Sequence, residues 1–112
     1  MRFSLFIQDS PESGAAVASA LGFAIAAVAA GHELRQMFFH GDGVRSARAS
    51  AEADHDLRAL VALARRHQVP LLACSTWLER LGVVSGGAVQ AGSLGQWCGV
   101  LDDVDRVVSF RA

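Results

Sequence analysis

Cys74 is the residue of this sequence that is best suited to group-transfer chemistry. It ends an apolar run, Val69 to Cys74, that predicts a buried strand, and it directly precedes a stretch, Ser75 to Leu81, that predicts a short helix. The backbone N–H groups that open a helix favour the thiolate over the thiol, and a thiolate is a nucleophile that can accept a sulfur atom. A lone cysteine at a strand end is more often a small buried apolar residue, so its position alone does not establish a reactive site.

Three other side chains could assist a reactive sulfur at this place. His40 ends the second predicted strand and could move a proton, although a solvent-facing loop histidine fits its position as well. Arg80 follows Cys74 on the short helix and could attract an anionic sulfur group, or it could be an ordinary exposed helix residue. Trp77 predicts either an exposed anchor for a partner or a core residue.

The second cysteine and the remaining histidines predict no further site. Cys98 lies beside Trp97 on the apolar face of a predicted helix, Ser93 to Asp103, so we expect it in the core. The two cysteines form no CxxC pair, which excludes the usual disulfide-reductase motif and a four-cysteine zinc site. The other three histidines show no metal-ligand spacing, and we expect neither a resident metal nor an organic cofactor.

Length, charge and hydropathy limit the classes of protein that this chain can be. Its 112 residues form one domain, residues 1–112. Ten basic residues, all of them Arg, against eleven acidic ones leave a net charge of −1, so direct nucleic-acid binding is not expected and lysine chemistry is excluded. The uncharged segment from Gly14 to Gly31 is mostly Ala and predicts a buried helix rather than a membrane span or a signal peptide. We therefore expect a cytoplasmic protein, in which thiols stay reduced.

Strands alternate with helices along the chain, which predicts a parallel sheet. The predicted strands are Phe3 to Ile7, His32 to Phe39, Val69 to Cys74, Ala88 to Ala91 and Asp105 to Phe110. The predicted helices run from the cap Ser10 to about Ala30, from about Asp54 to His67, from Ser75 to Leu81 and from Ser93 to Asp103. The fold class expected from this order is α/β, a three-layer sandwich with a mostly parallel, four- or five-stranded sheet of flavodoxin-like strand order.

Sites in such folds form beyond the carboxyl ends of the strands. That edge holds Gln8, His40, Cys74 and the region around Gly92, and we expect the Cys74 thiol to be reachable there. In the flavodoxin order the second and third strands flank the first, which would put His40 at the same edge as Cys74 but not beside it.

Three paired segments, in order along most of this chain, resemble those of the DsrE/TusD-like sulfur-relay family. Residues 31–34 and 38–44 resemble its GHE…VFFxxxGV segment, and residues 69–74 with 80–84 resemble its strand, active cysteine and RRGV/I segment. Residues 92–96 with 105–110 resemble its SGLGxL…DRVVxF ending. The family's persulfide-forming cysteine corresponds to Cys74, whereas the stretch between Val84 and Gly92 is much shorter than in the usual members.

The resemblance implies a DsrE-like fold and an intracellular sulfurtransferase. Such a protein accepts sulfane sulfur on Cys74 as a persulfide and passes it to an acceptor protein, in tRNA 2-thiouridine synthesis or in sulfur oxidation. It implies sulfur donor and acceptor proteins as partners, and related subunits or further copies of the chain in a homo- or hetero-oligomer such as a hexamer, with no membrane partner.

Two other functions stay open on the residues alone. One is a non-catalytic scaffold or assembly subunit of the same fold, with Cys74 buried. The other is a flavodoxin-like nucleotide binder, which the turn from Gln8 to Gly14 disfavours because it lacks a glycine-rich phosphate loop.

Overall fold

Five strands and four α-helices make up residues 1–12 and 15–111, the part of the chain that the computed structural model describes. The strands are Arg2–Ile7 (β1), Glu33–Phe39 (β2), Leu71–Cys74 (β3), Gln90–Gly92 (β4) and Arg106–Phe110 (β5). The helices are Ala16–Ala29 (α1), His55–Arg66 (α2), Ser75–Leu81 (α3) and Leu94–Val100 (α4). Short 3-10 segments lie at Gly41–Ala47, Ala49–Ala53 and Leu101–Asp103.

The strands form one five-stranded sheet in the order β4-β3-β2-β1-β5, and every neighbouring pair is parallel. The predicted α/β class with a parallel sheet is confirmed. The flavodoxin strand order is wrong, because β2 and β5 flank β1 while β3 pairs with β2. Alternating strands and helices are compatible with both orders, and here β2, β3 and β4 add in succession on one side of β1 before the chain crosses back to β5 on the other side. As a result β2 lies between β1 and β3, and its end is beside the end of β3.

One face of the sheet is covered by α1 and α2, which pack against each other. Phe3 on β1 meets Phe23 on α1 edge to face, with ring centroids 5.1 Å apart. The inward face of α2 that the helical periodicity predicts is buried in full: Leu57, Leu60, Val61 and Ala64. Each such large side chain contributes about 1.5–3 kcal/mol when it leaves water, which makes this layer the main apolar core.

The start of α1 differs from the prediction. Ser10 does not cap the helix, which begins at Ala16 after Ala15. The chain turns at Pro11 and Glu12, and Glu12 forms an ion pair with Arg48. These residues therefore belong to a loop that contacts the Arg48 region, and the helix starts only after it. The beginning of the uncharged segment at Gly14 lies outside the described residues.

The opposite face carries α4, which a buried polar network attaches to the sheet. Ser4 Oγ accepts hydrogen bonds from Gln36 Nε2 and Trp97 Nε1, both at 3.1 Å, and Gln36 Nε2 also donates to the Trp97 carbonyl at 3.1 Å. A bulge in the β1–β2 ladder makes this network feasible, since it pairs Leu34 with Phe3 but Gln36 with Ser4. The two β2 side chains therefore face opposite sides of the sheet, although regular strand alternation would put both on one side.

The expectation that Cys98 lies in the core is wrong, because its side chain is exposed. No residue of α4 is buried, and Leu94 is 44% exposed. Trp97 is the residue of this short helix that packs against the core, and Leu94 and Cys98 of the predicted apolar face remain in solvent. None of the helices in residues 1–12 and 15–111 combines the length and the apolar character that a bilayer-spanning helix needs.

Replacing Ser4 by Ala should destabilise the fold. The Ser4→Ala change leaves the Gln36 and Trp97 N–H groups without the oxygen they share, and we expect a loss of about 1–3 kcal/mol in the free energy of unfolding. Urea unfolding followed by far-UV circular dichroism measures this loss. Ser109→Ala is the matched control, on an exposed position of β5, and should change stability by less than about 0.5 kcal/mol. Equal stabilities of the two variants would show that the network does not hold α4.

Candidate functional site

The β2–β3 ladder brings His40 to the side of Cys74. Phe38 pairs with Leu72 and Phe39 with Ala73, so the next positions along the two strands are His40 and Cys74. Neighbouring strands lie about 4.8 Å apart, which makes these two residues lateral neighbours at the carboxyl edge. The expectation that His40 shares this edge without lying beside Cys74 is wrong, because it assumed the flavodoxin strand order.

His40 and Cys74 also share a face of the sheet. The His40 ring lies 5.2 Å from the Phe6 ring and 6.5 Å from the Phe38 ring, measured between centroids. Cys74 lies two residues beyond Leu72, the partner of Phe38, and side chains two residues apart on a strand point to the same face. This is the face that α4 covers, since Trp97 contacts both Phe6 and Phe38.

Cys74 itself is buried, with 2% of its surface exposed. Its strand is flanked on both sides, by β2 and by β4, where Cys74 pairs with Gly92. The Gly41–Ala47 segment packs against both β3 and α3. The expectation of a thiol reachable at the rim of the sheet is therefore wrong for this conformation of the single chain. A reagent can meet the sulfur only after the surrounding chain has moved.

The edge strand β4 is the most weakly held element beside the sulfur. It has three residues, of which Gln90 and Ala91 are exposed, and it pairs only with β3. Most of the connection from Gly82 to Gly86 that leads to it is exposed as well. The chain before β4 is anchored by Val89, which is 1% exposed, and by hydrogen bonds from the Gly86 and Gly87 N–H groups to the Ala47 carbonyl. Short edge segments open at a low free-energy cost, so displacement of β4 is a feasible way to uncover Cys74.

The Gly41–Ala47 segment is anchored to the end of β1 through Gly43. The N–H of Gly43 is shared between the Gln8 carbonyl at 3.2 Å and the His40 carbonyl at 3.0 Å. A Cβ atom at this position would lie 2.2 Å from the Ile7 carbonyl oxygen, so only glycine fits. This anchor fixes the chain direction just after His40.

Trp77 joins His40 and Arg80, which the sequence places forty positions apart. Its ring lies edge to face with the His40 ring, at 5.7 Å between centroids, and the Arg80 guanidinium carbon lies 4.8 Å above its centre. We call Phe6, Phe38, His40, Trp77 and Trp97 the ring cluster. Partial burial in this cluster lowers the pKa of His40, so its imidazole is neutral at pH 7 and can accept a proton.

Most of the ring cluster is not predictable from the sequence alone. In the sequence, Phe6 and Phe38 do not differ from other core phenylalanines, and Trp77 is compatible with both an exposed anchor and a core residue. The available signal was the period-two spacing of Phe38 and His40 on one strand, which becomes informative only once the strand order is known.

Other parts of the described structure offer less to a sulfur reaction. A cavity of about 550 Å³ lies at the opposite edge of the sheet, where β2 and β3 begin, and its lining includes His32, Gln68 and Pro70 but not Cys74. Within residues 1–12 and 15–111, no three His, Cys, Asp or Glu side chains are grouped as metal ligands would be. The cysteine, the histidine and the arginine at the carboxyl edge are therefore the groups to which chemistry can be assigned.

Comparison with known proteins gives consistent likenesses. The sequence pattern of the DsrE/DsrF-like family matches residues 1–110. The sulfurtransferase TusD homolog of Pseudomonas aeruginosa is 32% identical over 128 residues, covering 98% of this chain and 97% of that protein. Sulfurtransferase TusD of Sodalis glossinidius is 44% identical over 80 residues, covering 68% of this chain and 60% of that protein. The crystal structure of the ychN protein from E. coli matches with a TM-score of 0.81 at 17% identity, over 98% of this chain and 99% of that one, which is a likeness of fold.

The two thiols should differ strongly in reactivity. Cys98 is exposed and Cys74 is 2% exposed, so iodoacetamide should modify Cys98 first and Cys74 at least about tenfold more slowly, at the rate of local opening. Mass spectrometry of timed samples measures both rates. Cys98→Ser, which leaves Cys74 as the single thiol, isolates the slow phase, and denaturant should abolish the difference. Equally fast modification of both thiols in the native protein would contradict the buried position of Cys74.

Proposed function

The chain belongs to the DsrE/DsrF-like family and is a sulfurtransferase, and we propose that Cys74 is the residue that carries the sulfur. The position of Cys74 at the end of β3, lateral to a neutral histidine, is the observation that supports this assignment most. In this proposal the protein takes sulfane sulfur from a donor protein and delivers it to an acceptor protein. The relay feeds tRNA 2-thiouridine synthesis or sulfur oxidation.

The transfer step is thiolate attack on a persulfide. Cys74 Sγ, after losing its proton, attacks the terminal sulfur of the donor R–S–SH. A bond forms between Sγ and that sulfur, the donor's S–S bond breaks, and its electron pair leaves with the donor thiolate. Cys74 now holds an S–SH group, which ionises to the persulfide anion. Delivery repeats the same exchange with an acceptor thiolate, so the relay needs no external oxidant.

We assign His40 and Arg80 as supporting residues for this step. A neutral imidazole beside Cys74 can accept the thiol proton, and the burial that lowers the pKa of His40 keeps it in the accepting form at pH 7. Arg80 can stabilise the persulfide anion, because a guanidinium donates charge-assisted hydrogen bonds. Neither role requires a metal or an organic cofactor, since the cysteine itself carries the transferred group.

Loading requires the chain around Cys74 to open, and we propose that the donor protein drives this step. A partner that binds the conformation with β4 displaced shifts the population toward it by its differential affinity for that conformation. Sulfur is then protected from water between transfers, since the closed form leaves 2% of Cys74 exposed.

The same burial favours a second candidate function, a non-catalytic scaffold subunit. In that case Cys74 is only a small apolar residue of the core, and a related subunit supplies the reactive thiol. The two functions differ in whether Cys74 ever acquires sulfur.

We propose that the protein works as a homo- or hetero-oligomer, such as a hexamer, with copies of itself or related subunits. The face that carries α4 is thinly covered, and apolar side chains remain in solvent there, including Leu94 and Val107 with 44% and 43% of their surfaces exposed. A cytoplasmic location suits a carrier whose cysteine must stay reduced between cycles. The net charge of −1 suits protein partners better than direct contact with nucleic acid.

The sulfur carrier should be detectable by mass. Incubation with a cysteine desulfurase and cysteine should add about 32 Da per sulfur to the wild-type protein, and Cys74→Ala should abolish the adduct. Peptide mapping after alkylation locates the sulfur. Cys98→Ala is the matched control and should load like the wild type.

Three outcomes discriminate between the functions. Loading at Cys74 alone supports the carrier. Equal loading of wild type and Cys74→Ala, or loading at Cys98 only, contradicts the assignment of Cys74. Absence of any adduct on the wild type, under conditions that load a known acceptor, favours the scaffold.

The oligomer should depend on the thinly covered face. Light scattering coupled to size exclusion should give a mass that is a multiple of 11.8 kDa, and Val107→Asp should lower it, because a charge in an apolar interface is costly to desolvate. Ile25→Asp, at an exposed position of α1, is the control and should leave the mass unchanged. A monomeric wild type would exclude the homo-oligomer, and an unchanged mass for Val107→Asp would exclude this face as the interface.

A further inference from the structure

Trp77 occupies a position that the assigned roles of Cys74, His40 and Arg80 do not explain. It is three residues beyond Cys74, in the first turn of the helix for which Cys74 is the N-cap. Residues three apart on a helix lie on the same side, so the indole is on the side of α3 from which Cys74 leads back into the sheet. Its edge contact with His40 extends across to the end of β2. Trp77 thus spans the gap between the two strand ends that hold the proposed nucleophile and base.

Arg80 is held by this indole and not by a carboxylate. Its guanidinium carbon lies 4.8 Å from the Trp77 ring centre, while within residues 1–12 and 15–111 it makes no ion pair. By contrast, Arg35 and Arg48 are neutralised by acidic partners. Stacking on an aromatic face restrains a guanidinium but uses none of its N–H donors. The Arg80 charge and its hydrogen-bond donors therefore remain available to an anion.

We propose that Trp77 is a positioning residue for sulfur transfer, which stacks Arg80 in place so that its guanidinium receives the anionic terminal sulfur of the Cys74 persulfide. This inference rests on the proposed role of Cys74. In this proposal the ligand of Arg80 is the outer sulfur atom of the persulfide, which carries a single negative charge and is bonded to Cys74 Sγ. His40, which contacts the same indole, takes the proton of the Cys74 thiol. One aromatic side chain therefore orders both the base for the thiol and the cation for the persulfide anion.

The experiment measures the loading of Cys74 with a small persulfide whose only charge is on sulfur, N-acetylcysteamine persulfide. This probe removes any contribution from donor-protein binding and from carboxylates that Arg80 could attract. All variants carry Cys98→Ser, and the rate of the mass increase at Cys74 is followed against probe concentration. Trp77→Leu and Arg80→Gln should each slow loading by about tenfold, whereas Trp77→Phe, which keeps an aromatic face under Arg80, should restore most of the rate.

A double-mutant cycle separates positioning from simple packing. If Trp77 acts through Arg80, the Trp77→Leu/Arg80→Gln double variant loads no more slowly than the slower single variant. Independent effects would multiply, to about a hundredfold, and would overturn the proposal. Glu79→Gln, an exposed change of one charge on the same helix, is the control and should load at the wild-type rate.

The remaining outcomes also have one meaning each. Wild-type loading at Cys74 with an unchanged rate in Trp77→Leu overturns the role of Trp77 and leaves the carrier function intact. A wild type that loads at Cys74 neither from this probe nor from a cysteine desulfurase, under conditions that load a known acceptor, overturns the carrier function instead. If the wild type loads only from the desulfurase, the same variants and the same cycle are measured with the desulfurase as donor. Circular dichroism establishes that each variant is folded. Should Trp77→Leu fail to fold, the cycle is run with Trp77→Phe, and a rate for that variant no higher than for Arg80→Gln overturns the proposal.

Discussion

The parallel pairing of β2 with β3 is the constraint on which the candidate site depends. It places His40 and Cys74 at matching positions although they are 34 positions apart in the chain, and it does so through backbone hydrogen bonds that are independent of both side chains. Pairing with β4 on its other side makes β3 an interior strand, and the sulfur is buried at its end. The sheet that brings the proposed base to the proposed nucleophile thus also withholds that nucleophile from solvent. A carrier that holds a reactive sulfur between partners benefits from both effects, because a persulfide exposed to every thiol would lose its cargo.

The two faces of the sheet are built differently. The face under α1 and α2 is a conventional apolar layer, whereas α4 is attached mainly by one tryptophan and the hydrogen bonds of Ser4 and Gln36. A helix held by directed polar contacts keeps a defined place without much apolar burial, and it leaves large side chains such as Val107 in solvent. The stable layer supports the architecture, while the thin layer lies over the groups to which chemistry is assigned. This division of stability is common for parts of a protein that must move or bind.

The sequence predicted the elements well and their arrangement less well. Local sequence signals predict the helices and strands. The apolar face of α2 is buried as its periodicity predicts, and Gly82 ends α3 in the left-handed conformation that glycine adopts readily. The helix from Ser93 is present, but the expected burial of Cys98 is wrong, because this short helix on a thin layer half-buries Trp97 against the sheet and leaves Cys98 in solvent. Strand order and the β1–β2 bulge depend on pairings between distant segments, which no local pattern encodes. Cys74 was recognised from its motif, but its burial and its neighbour His40 follow from that long-range pairing.

The glycine that anchors the corner after β2 has a consequence for how this edge can vary. The backbone at Gly43 passes so close to the Ile7 carbonyl that even one methyl group would act as a wedge. The Gly43 N–H also donates a hydrogen bond to the His40 carbonyl. A backbone shift at Gly43 would therefore move the His40 imidazole away from the end of β3. The location of the proposed base thus depends on the absence of a side chain at residue 43. A substitution there would misalign His40 with Cys74 although it adds no atom to either residue.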